Sequence, residues 1–462
     1  MTEVVVINLS IDVHQNLYLA PGETEMNALL RVRSAAGPGA AGPPRVAVVI
    51  IVDCSGSMSA PPVKVFAAKE AAYAAIETLR EGTLFAVVAG RERARSVYPK
   101  TGLATVSAES RAAARDAVGR LRASGGTAMS TWLAAANSLL GAHPGAICHA
   151  ILLTDGQNVG ESREKLRAVL EECDGRFRCD CRGIGDDWVA DDLATIASRL
   201  LGAARPVERL TELADDFRAI AAEVMRQVVG EASLRLWIPF GARVIFFKQV
   251  YPTINDLTDR SVRVDPNTLA YPTGAWGTEE RHYHLGIGDL KPIMAVTPSR
   301  VGAVRFVLDG EKSDGADILA RWTDDWMLFT QTSRAEAEAA GQVELALAIQ
   351  LGTAALRDGD EDDAVGHLGR AARIAFEAGD RAKLDLLARL VEIEDAAAGV
   401  VRARSGLGRG LVEGVSLLSH WTRNVESESD TESEAHTESE AHTESETESG
   451  TDTDAGAGRS AR

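Results

Sequence analysis

The sequence predicts an α/β protein built on a doubly wound, mostly parallel sheet, accompanied by an antiparallel β-sandwich and a C-terminal helical segment. Apolar runs of strand length alternate with helical patterns from residue 45 to residue 229, which is typical of a parallel sheet covered on both faces. After residue 230 the apolar period changes to two, as in antiparallel strands. From residue 335 to residue 397 the period becomes helical.

These patterns divide the chain into five predicted segments. In order, they are N-terminal strands that join the sandwich (1–40), the α/β domain (41–230), the rest of the sandwich (231–334), a helical segment (335–400), and a linker with a low-complexity tail (401–462). At 462 residues the chain is too long for a single ordinary core, so several domains are expected.

The α/β domain contains predicted strands and helices in near-strict alternation. Runs rich in Val, Ile and Leu predict strands, and Ser or Thr followed by acidic residues supports several helix starts. The predicted strands are 45–53, 83–90, a short edge strand 95–99, 147–154, 177–185 and 205–209. The predicted helices are 63–80, 108–122, 128–141, 161–173, 189–202 and 211–229.

The segments on either side of this domain predict antiparallel strands. VVVINLSIDV and MNALLRVRS flank a Pro21-Gly22 turn, and six further strands are predicted after residue 230. We expect all of them to close one sandwich, with the α/β domain as an insertion. His282 and His284 fall on one face of a strand, and we interpret them as exposed polar positions, with a metal site as the alternative.

The C-terminal part predicts helices and then a tail. Gly359-Asp360 and Gly379-Asp380 separate three apolar-periodic stretches, so the segment resembles a short tetratricopeptide array. From residue 426 to residue 454 there are twelve acidic residues and no Lys or Arg. Such a composition cannot bury enough apolar surface to offset chain entropy, and we expect the tail to be disordered.

Three short runs carry oxygen-bearing side chains at the predicted ends of strands or starts of helices. They are Asp53-Cys54-Ser55-Gly56-Ser57 after the first buried strand, Gly125-Gly126-Thr127 before a helix, and Thr154-Asp155-Gly156 after another buried strand. Ligands of open α/β sheets bind where the strands end at their carboxyl edge. The combination D-x-S-x-S, T and D resembles the metal-ion-dependent adhesion site of von Willebrand factor type A domains, which have a Rossmann-like fold. The chain resembles the cytosolic bacterial type with flanking β-sandwich segments.

The resemblance implies a metal site with five residues in defined roles. The hydroxyls of Ser55, Ser57 and Thr127 would bind Mg²⁺ or Mn²⁺ directly, and Asp53 and Asp155 would act largely through metal-bound water. Mg²⁺ is a hard cation that prefers oxygen and keeps several waters, which suits this set. The open metal position would accept an Asp or Glu of a partner protein, so the resemblance implies a binding device.

Thr131 is the nearest competitor to Thr127. We prefer Thr127 because the two preceding glycines allow the backbone to approach an ion closely. Ser59, Ser130 and Thr131 are then expected to be cap or packing residues.

The cysteines offer a weaker alternative metal site. Cys173, Cys179 and Cys181 cluster near Cys148-His149, but their spacing lacks the paired form of zinc sites. Cys179 and Cys181 alternate along a predicted strand, so we expect their side chains to face the core.

Composition bears on partners and location. The formal net charge of −18 argues against nucleic acid or an anionic membrane as a partner. The N-terminal residues MTEVVVINLS lack the features of a signal peptide, and we see no apolar run that approaches the ~20 residues of a membrane span. The expected location is the cytoplasm.

The leading functional hypothesis is a metal-dependent protein-binding module, a cytoplasmic scaffold or adaptor, and not an enzyme. A metal-dependent hydrolase is the first alternative, and the sequence has no G-x-S-x-G, P-loop or H-E-x-x-H motif to support it. A membrane-linked adhesion or channel-associated protein is the second alternative.

Overall fold

The structure, a computed structural model, describes residues 7–36, 44–158, 160–308 and 311–424. The predicted acidic tail lies outside the described residues, as do the start of the first predicted strand and most of the loop before the α/β domain.

The first elements along the chain are three strands followed by the alternating α/β part. The N-terminal strands are β1 (Ile7–His14), β2 (Tyr18–Leu19) and β3 (Met26–Ala36). The α/β elements are, in order, β4 (Val46–Asp53), α1 (Val63–Thr78), β5 (Leu84–Gly90), β6 (Arg95–Tyr98), β7 (Ala104–Thr105), α2 (Ala108–Gly119), α3 (Met129–Leu140), β8 (Ile147–Thr154), α4 (Arg163–Cys173), β9 (Arg178–Ile184), α5 (Ala190–Arg199), β10 (Ala204–Val207) and α6 (Leu213–Arg226).

The α/β part is organised around one sheet with the strand order β10-β9-β8-β4-β5-β6, and β7 also pairs with β5. The five strands from β10 to β5 are parallel, and β6 and β7 run antiparallel at the edge. All side chains of β4 are buried, because alternate residues enter two different clusters. Val48 and Ile50 pack with α1 and α6 on one face, and Val49 and Ile51 pack with α3 on the other. These findings confirm the predicted fold class.

Two further sheets are built from the chain segments on either side of the α/β part, and all their strand pairs are antiparallel except β18 with β2. Their later strands are β11 (Val229–Trp237), β12 (Arg243–Tyr251), β13 (Asn255–Asp256), β14 (Val262–Asp265), β15 (Thr268–Trp276), β16 (Glu279–Gly288), β17 (Ser299–Leu308) and β18 (Glu311–Trp322). One sheet has the order β1-β3-β16-β12-β13 and the other β14-β15-β11-β17-β18-β2. Residues of both sheets share one hydrophobic cluster, so the α/β part is inserted between β3 and β11.

The C-terminal elements are α7 (Trp326–Phe329), α8 (Arg334–Asp358), α9 (Glu361–Glu377), α10 (Arg381–Leu387), β19 (Val391–Asp395), β20 (Val400–Ala403) and α11 (Arg409–Ser419). The predicted loops at Gly359-Asp360 and Gly379-Asp380 are present, and Asp360 and Asp380 cap α9 and α10. The helical prediction over 335–400 fails after Leu387, where β19 and β20 form a hairpin. The hairpin's apolar residues Val391 and Val401 join the same cluster as the helices, so tertiary packing decides this segment.

The prediction of a linker from residue 401 onward is wrong for residues 409–422. Helix α11 packs against α8, α5 and β10. Beyond it, Trp421 Nε1 donates to Ala204 O at 2.9 Å, and Thr422 Oγ1 donates to Val250 O at 2.6 Å. Sequence reasoning overlooked α11 because a Gly- and Arg-rich stretch precedes it. The apolar residues of this helix pack against both the helical segment and the α/β part.

From the sequence we expect no stretch that could span a membrane, an expectation that overlooks helix α8. Among the described residues, α8 is the one helix that is long and apolar enough to cross a membrane by length and composition. In this structure α8 packs against α9, α11 and β3.

A substitution of Glu413 on α11 measures how strongly this C-terminal segment stabilises the fold. The side chain of Glu413 is fully buried, where Oε2 accepts from Ala190 N at 2.8 Å and from Arg357 Nη1 at 3.1 Å. We expect Glu413→Ala to lower the free energy of unfolding by about 1–3 kcal/mol, because it leaves the helix N–H of Ala190 without its acceptor and removes one partner of the half-buried Arg357, which keeps Asp191 at 3.8 Å. Urea denaturation measures the change.

The control is Glu208→Ala, which breaks the half-exposed pair between Glu208 and Arg389 in the same region. An exposed ion pair is worth about 0–1 kcal/mol. Equal losses for the two variants would contradict the role given to Glu413.

Candidate functional site

The predicted site residues meet at the carboxyl edge of the parallel sheet. Asp53 ends β4, and Asp155 directly follows Thr154, the last residue of the neighbouring strand β8. Ser55 and Ser57 lie in the turn after β4, and Thr127 lies two residues before α3.

Asp53 is buried, and both of its carboxylate oxygens accept hydrogen bonds. Ser55 N donates to Oδ1 at 2.7 Å, and Thr154 Oγ1 donates to Oδ2 at 2.6 Å. Burial raises the pKa of Asp53 to about 6, although the hydrogen bonds from Ser55 and Thr154 oppose the rise. The carboxylate is therefore fixed in direction and costly to ionise without a nearby cation.

Asp155 is also buried and fully engaged. Ser57 Oγ donates to Oδ1 at 2.7 Å, and Lys64 Nζ donates to Oδ2 at 2.7 Å. Ser57 Oγ lies 2.9 Å from Ser55 Oγ, which connects the two serines. One hydrogen-bonded chain thus runs from Lys64 through Asp155 and Ser57 to Ser55.

The three hydroxyls converge on the space in front of Gly156. A Cβ atom added to Gly156 would lie 3.2 Å from Ser57 Oγ, 3.4 Å from Thr127 Oγ1 and 3.9 Å from Ser55 Oγ. Glycine at this position leaves a small cradle lined by oxygen. The donors are neutral hydroxyls with carboxylates behind them, a set that fits a hard divalent cation.

Backbone hydrogen bonds hold the loop that carries Thr127. Gly56 N donates to Gly125 O at 2.7 Å, and Gly126 N donates to Glu92 Oε1 at 2.6 Å. The hydrogen bond from Gly126 lowers the pKa of Glu92. Gly125 has φ +86°, and a Cβ there would lie 2.5 Å from Glu92 Oε2. The glycines before Thr127 therefore make room for Glu92.

Sequence reasoning missed Lys64 and Glu92. Lys64 is 7% exposed, lies in the first turn of α1, and also packs against Gly185 after β9. A charged residue on a helix is usually solvated. The sequence feature that could have indicated Lys64 is its position in the first turn of α1, shortly after the D-x-S-x-S motif.

The competing hydroxyls have structural partners, as predicted. Thr131 Oγ1 donates to Ala128 O at 2.9 Å and accepts from Ala94 N at 3.1 Å. Ser130 Oγ donates to Glu161, and Ser59 Oγ donates to Gly56 O at 2.6 Å.

The cysteines that suggested an alternative site lie in the core. Cys179 and Cys181 are buried on one side of β9, as predicted, with their sulfurs 3.9 Å apart. His149 Nε2 lies 2.8 Å from Asp180 Oδ2, so the imidazole is already paired.

The interpretation of His282 and His284 as exposed residues is wrong. Both are buried, because α8 covers this face of the sheet that contains β3, β12 and β16. His282 Nε2 lies 2.6 Å from Glu280 Oε1, and burial lowers the pKa of His282. No cluster of three or more His, Cys, Asp or Glu side chains suited to a metal occurs within the described ranges.

Comparison with known proteins identifies the family. A model of the von Willebrand factor type A domain matches residues 46–205. The solved structure of a von Willebrand factor type A protein from Catenulispora acidiphila is 39% identical, with a TM-score of 0.86, and the match covers 92% of this chain and 99% of that chain. The chain therefore belongs to the von Willebrand factor type A family. A search of curated proteins found no match.

Two more distant structures share the fold alone. The ArnB paralog VWA2 from Sulfolobus acidocaldarius is 12% identical with a TM-score of 0.50, covering 89% of this chain and 98% of that chain. The human COPII-coat protein Sec24c is 10% identical with a TM-score of 0.51, covering 82% of this chain and 57% of that chain. Domains of this family are generally involved in protein–protein interaction and are typically not enzymes.

The raised pKa of Asp53 predicts a pH dependence of stability in the metal-free protein. In the folded protein the Asp53 carboxyl group is protonated below about pH 6. In the unfolded chain it stays ionised until the pH falls to about 3.9. Between these values the folded state binds more protons, so the free energy of unfolding rises as the pH falls. Relative to Asp53→Asn, the wild type should gain about 2 kcal/mol between pH 7 and pH 4.5. Urea denaturation in EDTA gives the free energy of unfolding of both proteins. If the difference between the two values does not change with pH, the pKa of Asp53 is not raised.

Proposed function

We propose that the protein is a cytoplasmic binding module that uses Mg²⁺ or Mn²⁺ to capture a carboxylate of a partner protein, as a scaffold or adaptor. The convergence of Ser55, Ser57 and Thr127 on the space before Gly156 carries this proposal. The five cysteines are all free thiols, which suits a reducing compartment.

The three hydroxyl oxygens would hold the cation, with Asp53 and Asp155 behind them. Ser57 Oγ donates a hydrogen bond to Asp155 and accepts one from Ser55 Oγ, which leaves one lone pair of the Ser57 oxygen for a cation. When bound, the cation supplies an electrophilic position that a partner's Asp or Glu can fill.

The protein holds the two carboxylates in place. Each oxygen of Asp53 and of Asp155 accepts one hydrogen bond from the protein. A carboxylate oxygen has a second lone pair, which can accept a hydrogen bond from a metal-bound water. This arrangement suits a water-mediated role for both aspartates.

Lys64 sets the charge of the site. Asp53 and Asp155 contribute two negative charges and Lys64 one positive charge, so the buried groups carry one net negative charge. A divalent cation reverses this sign and leaves the site positive overall. Lys64 therefore weakens cation binding and strengthens the attraction for a partner's carboxylate.

The first test is calorimetric titration of Mg²⁺ and Mn²⁺ into the wild type and Ser57→Ala. We expect Ser57→Ala to weaken binding by at least about tenfold, because it removes one hydroxyl from the cradle. Ser59→Ala is the matched control in the same turn, since Ser59 bonds to Gly56 O and lies outside the cradle. Equal affinities for all three proteins would refute the metal assignment.

A second prediction concerns Lys64→Gln, which keeps an N–H donor for Asp155 but removes the charge. We expect tighter Mg²⁺ binding, on the order of tenfold, because a positive charge close to the cradle is lost. Lys69→Gln is the control on the same helix, where Nζ donates to Gly119 O. Weaker binding by Lys64→Gln would show that Lys64 organises the site by geometry and not by charge.

A further inference from the structure

Four arginines line one side of the carboxyl edge of the parallel sheet. Asp53 pairs in register with Gly90, the last residue of β5, so the loop after β5 begins level with the site. Arg91 and Arg93 lie in this loop, and Arg95 begins β6. We call these three residues, together with Arg122 in the loop before Thr127, the arginine rim.

Hydrogen bonds tie the rim to the site. Arg91 donates to the carbonyl oxygen of Arg122. Cys54 N donates to Gly90 O at 2.8 Å, and Ser124 N donates to Cys54 O at 2.8 Å. The loops that carry the rim are thus fixed to the turn that carries the predicted metal ligands.

The arginine rim forms no ion pair within the part of the chain that the structure describes. Arg93, Arg95 and Arg122 are exposed, Arg91 is half-buried, and no carboxylate of the described residues lies within ion-pair distance of any of them. Glu92, the acidic residue inside the loop, accepts from Gly126 N and keeps its negative charge, which interacts with Arg91. Four arginines and one glutamate leave three net positive charges, which form a local positive surface in a chain with a net charge of −18.

The opposite side of the same edge is acidic. Asp186 and Asp187 are exposed after β9, on the far side of β8 from β5. The surface charge along this edge therefore changes from negative near β9 to positive near β5, with Asp53 and Asp155 between the two sides. An acidic ligand seated at the site is repelled by one side and attracted by the other.

We infer that the partner presents an acidic segment, with one Asp or Glu at the metal position and further acidic side chains on the arginine rim. This inference rests on the proposed function, because the metal position anchors the segment. Charge complementarity favours an acidic peptide. The exposed Asp186 and Asp187 disfavour a longer polyanion such as nucleic acid.

The test uses fluorescence anisotropy with the full chain and two labelled peptides of equal length. One peptide carries a single Glu in a Gly/Ser background, and the other carries four Glu residues. With Mg²⁺ present, we expect the four-Glu peptide to bind about tenfold more tightly. Arg93→Gln/Arg95→Gln should remove most of this gain.

The matched control is Arg45→Gln/Arg176→Gln. Arg45 and Arg176 are exposed just before β4 and β9, so this variant removes the same charge at the opposite edge of the sheet. It should leave both affinities unchanged.

The outcomes separate this inference from the proposed function. Equal affinity for the two peptides in Mg²⁺, both lost in EDTA, would overturn the arginine rim and leave metal capture intact. Four-Glu binding that persists in EDTA and is lost in Arg93→Gln/Arg95→Gln would support the rim and contradict metal capture. A loss of affinity as large in the control variant, or equally tight binding of an oligothymidylate of the same charge, would overturn the assignment of an acidic peptide.

Discussion

Two carboxylates buried at the ends of adjacent parallel strands impose the constraint on which the site depends. Asp53 and Asp155 lie inside the protein, and a buried carboxylate is tolerated when its oxygens are hydrogen-bonded or paired with a cation. Thr154 and the backbone of Ser55 meet this requirement for Asp53, and Ser57 and Lys64 meet it for Asp155. The turn after β4 takes its shape from these bonds.

The same constraint connects the site to its surroundings. Because Ser57 donates to Asp155, the serine hydroxyls are directed toward the cradle before Gly156. The loop that carries Thr127 is held by Gly56 on one side and by Glu92 on the other. Glu92 belongs to the loop of the arginine rim, so the cradle and the rim share one supporting residue. A ligand that contacts both would therefore meet a surface of fixed geometry.

The C-terminal segment extends this rigidity beyond the α/β part. Glu413 caps the start of α5, and Trp421 contacts β10 while His420 O accepts from Ile254 N at 2.8 Å. These contacts join the α/β part, the antiparallel sheets and the helical segment within residues 7–424. The helices after residue 334 thus stabilise the arrangement of the other parts.

The sequence allowed prediction of the features that depend on local pattern. The buried strands β4 and β8 and the five oxygen-bearing residues at their ends follow from apolar runs and motif spacing, and the structure brings those five residues together. Lys64 and Glu92 depend on tertiary contacts between distant loops, and neither spacing nor composition reveals such contacts. His282 and His284 were misjudged because nothing local shows that α8 covers their strand. Helix α11 was missed because glycines and arginines precede it.

A manganese-loaded crystal shows directly whether the cradle before Gly156 binds a metal, since anomalous scattering identifies manganese. We expect one strong anomalous peak about 2.1 Å from the hydroxyl oxygens of Ser55, Ser57 and Thr127, with Asp53 and Asp155 reaching the metal through water. A manganese peak only at another place, or an empty cradle at saturating manganese, would show that these residues do not form a metal site.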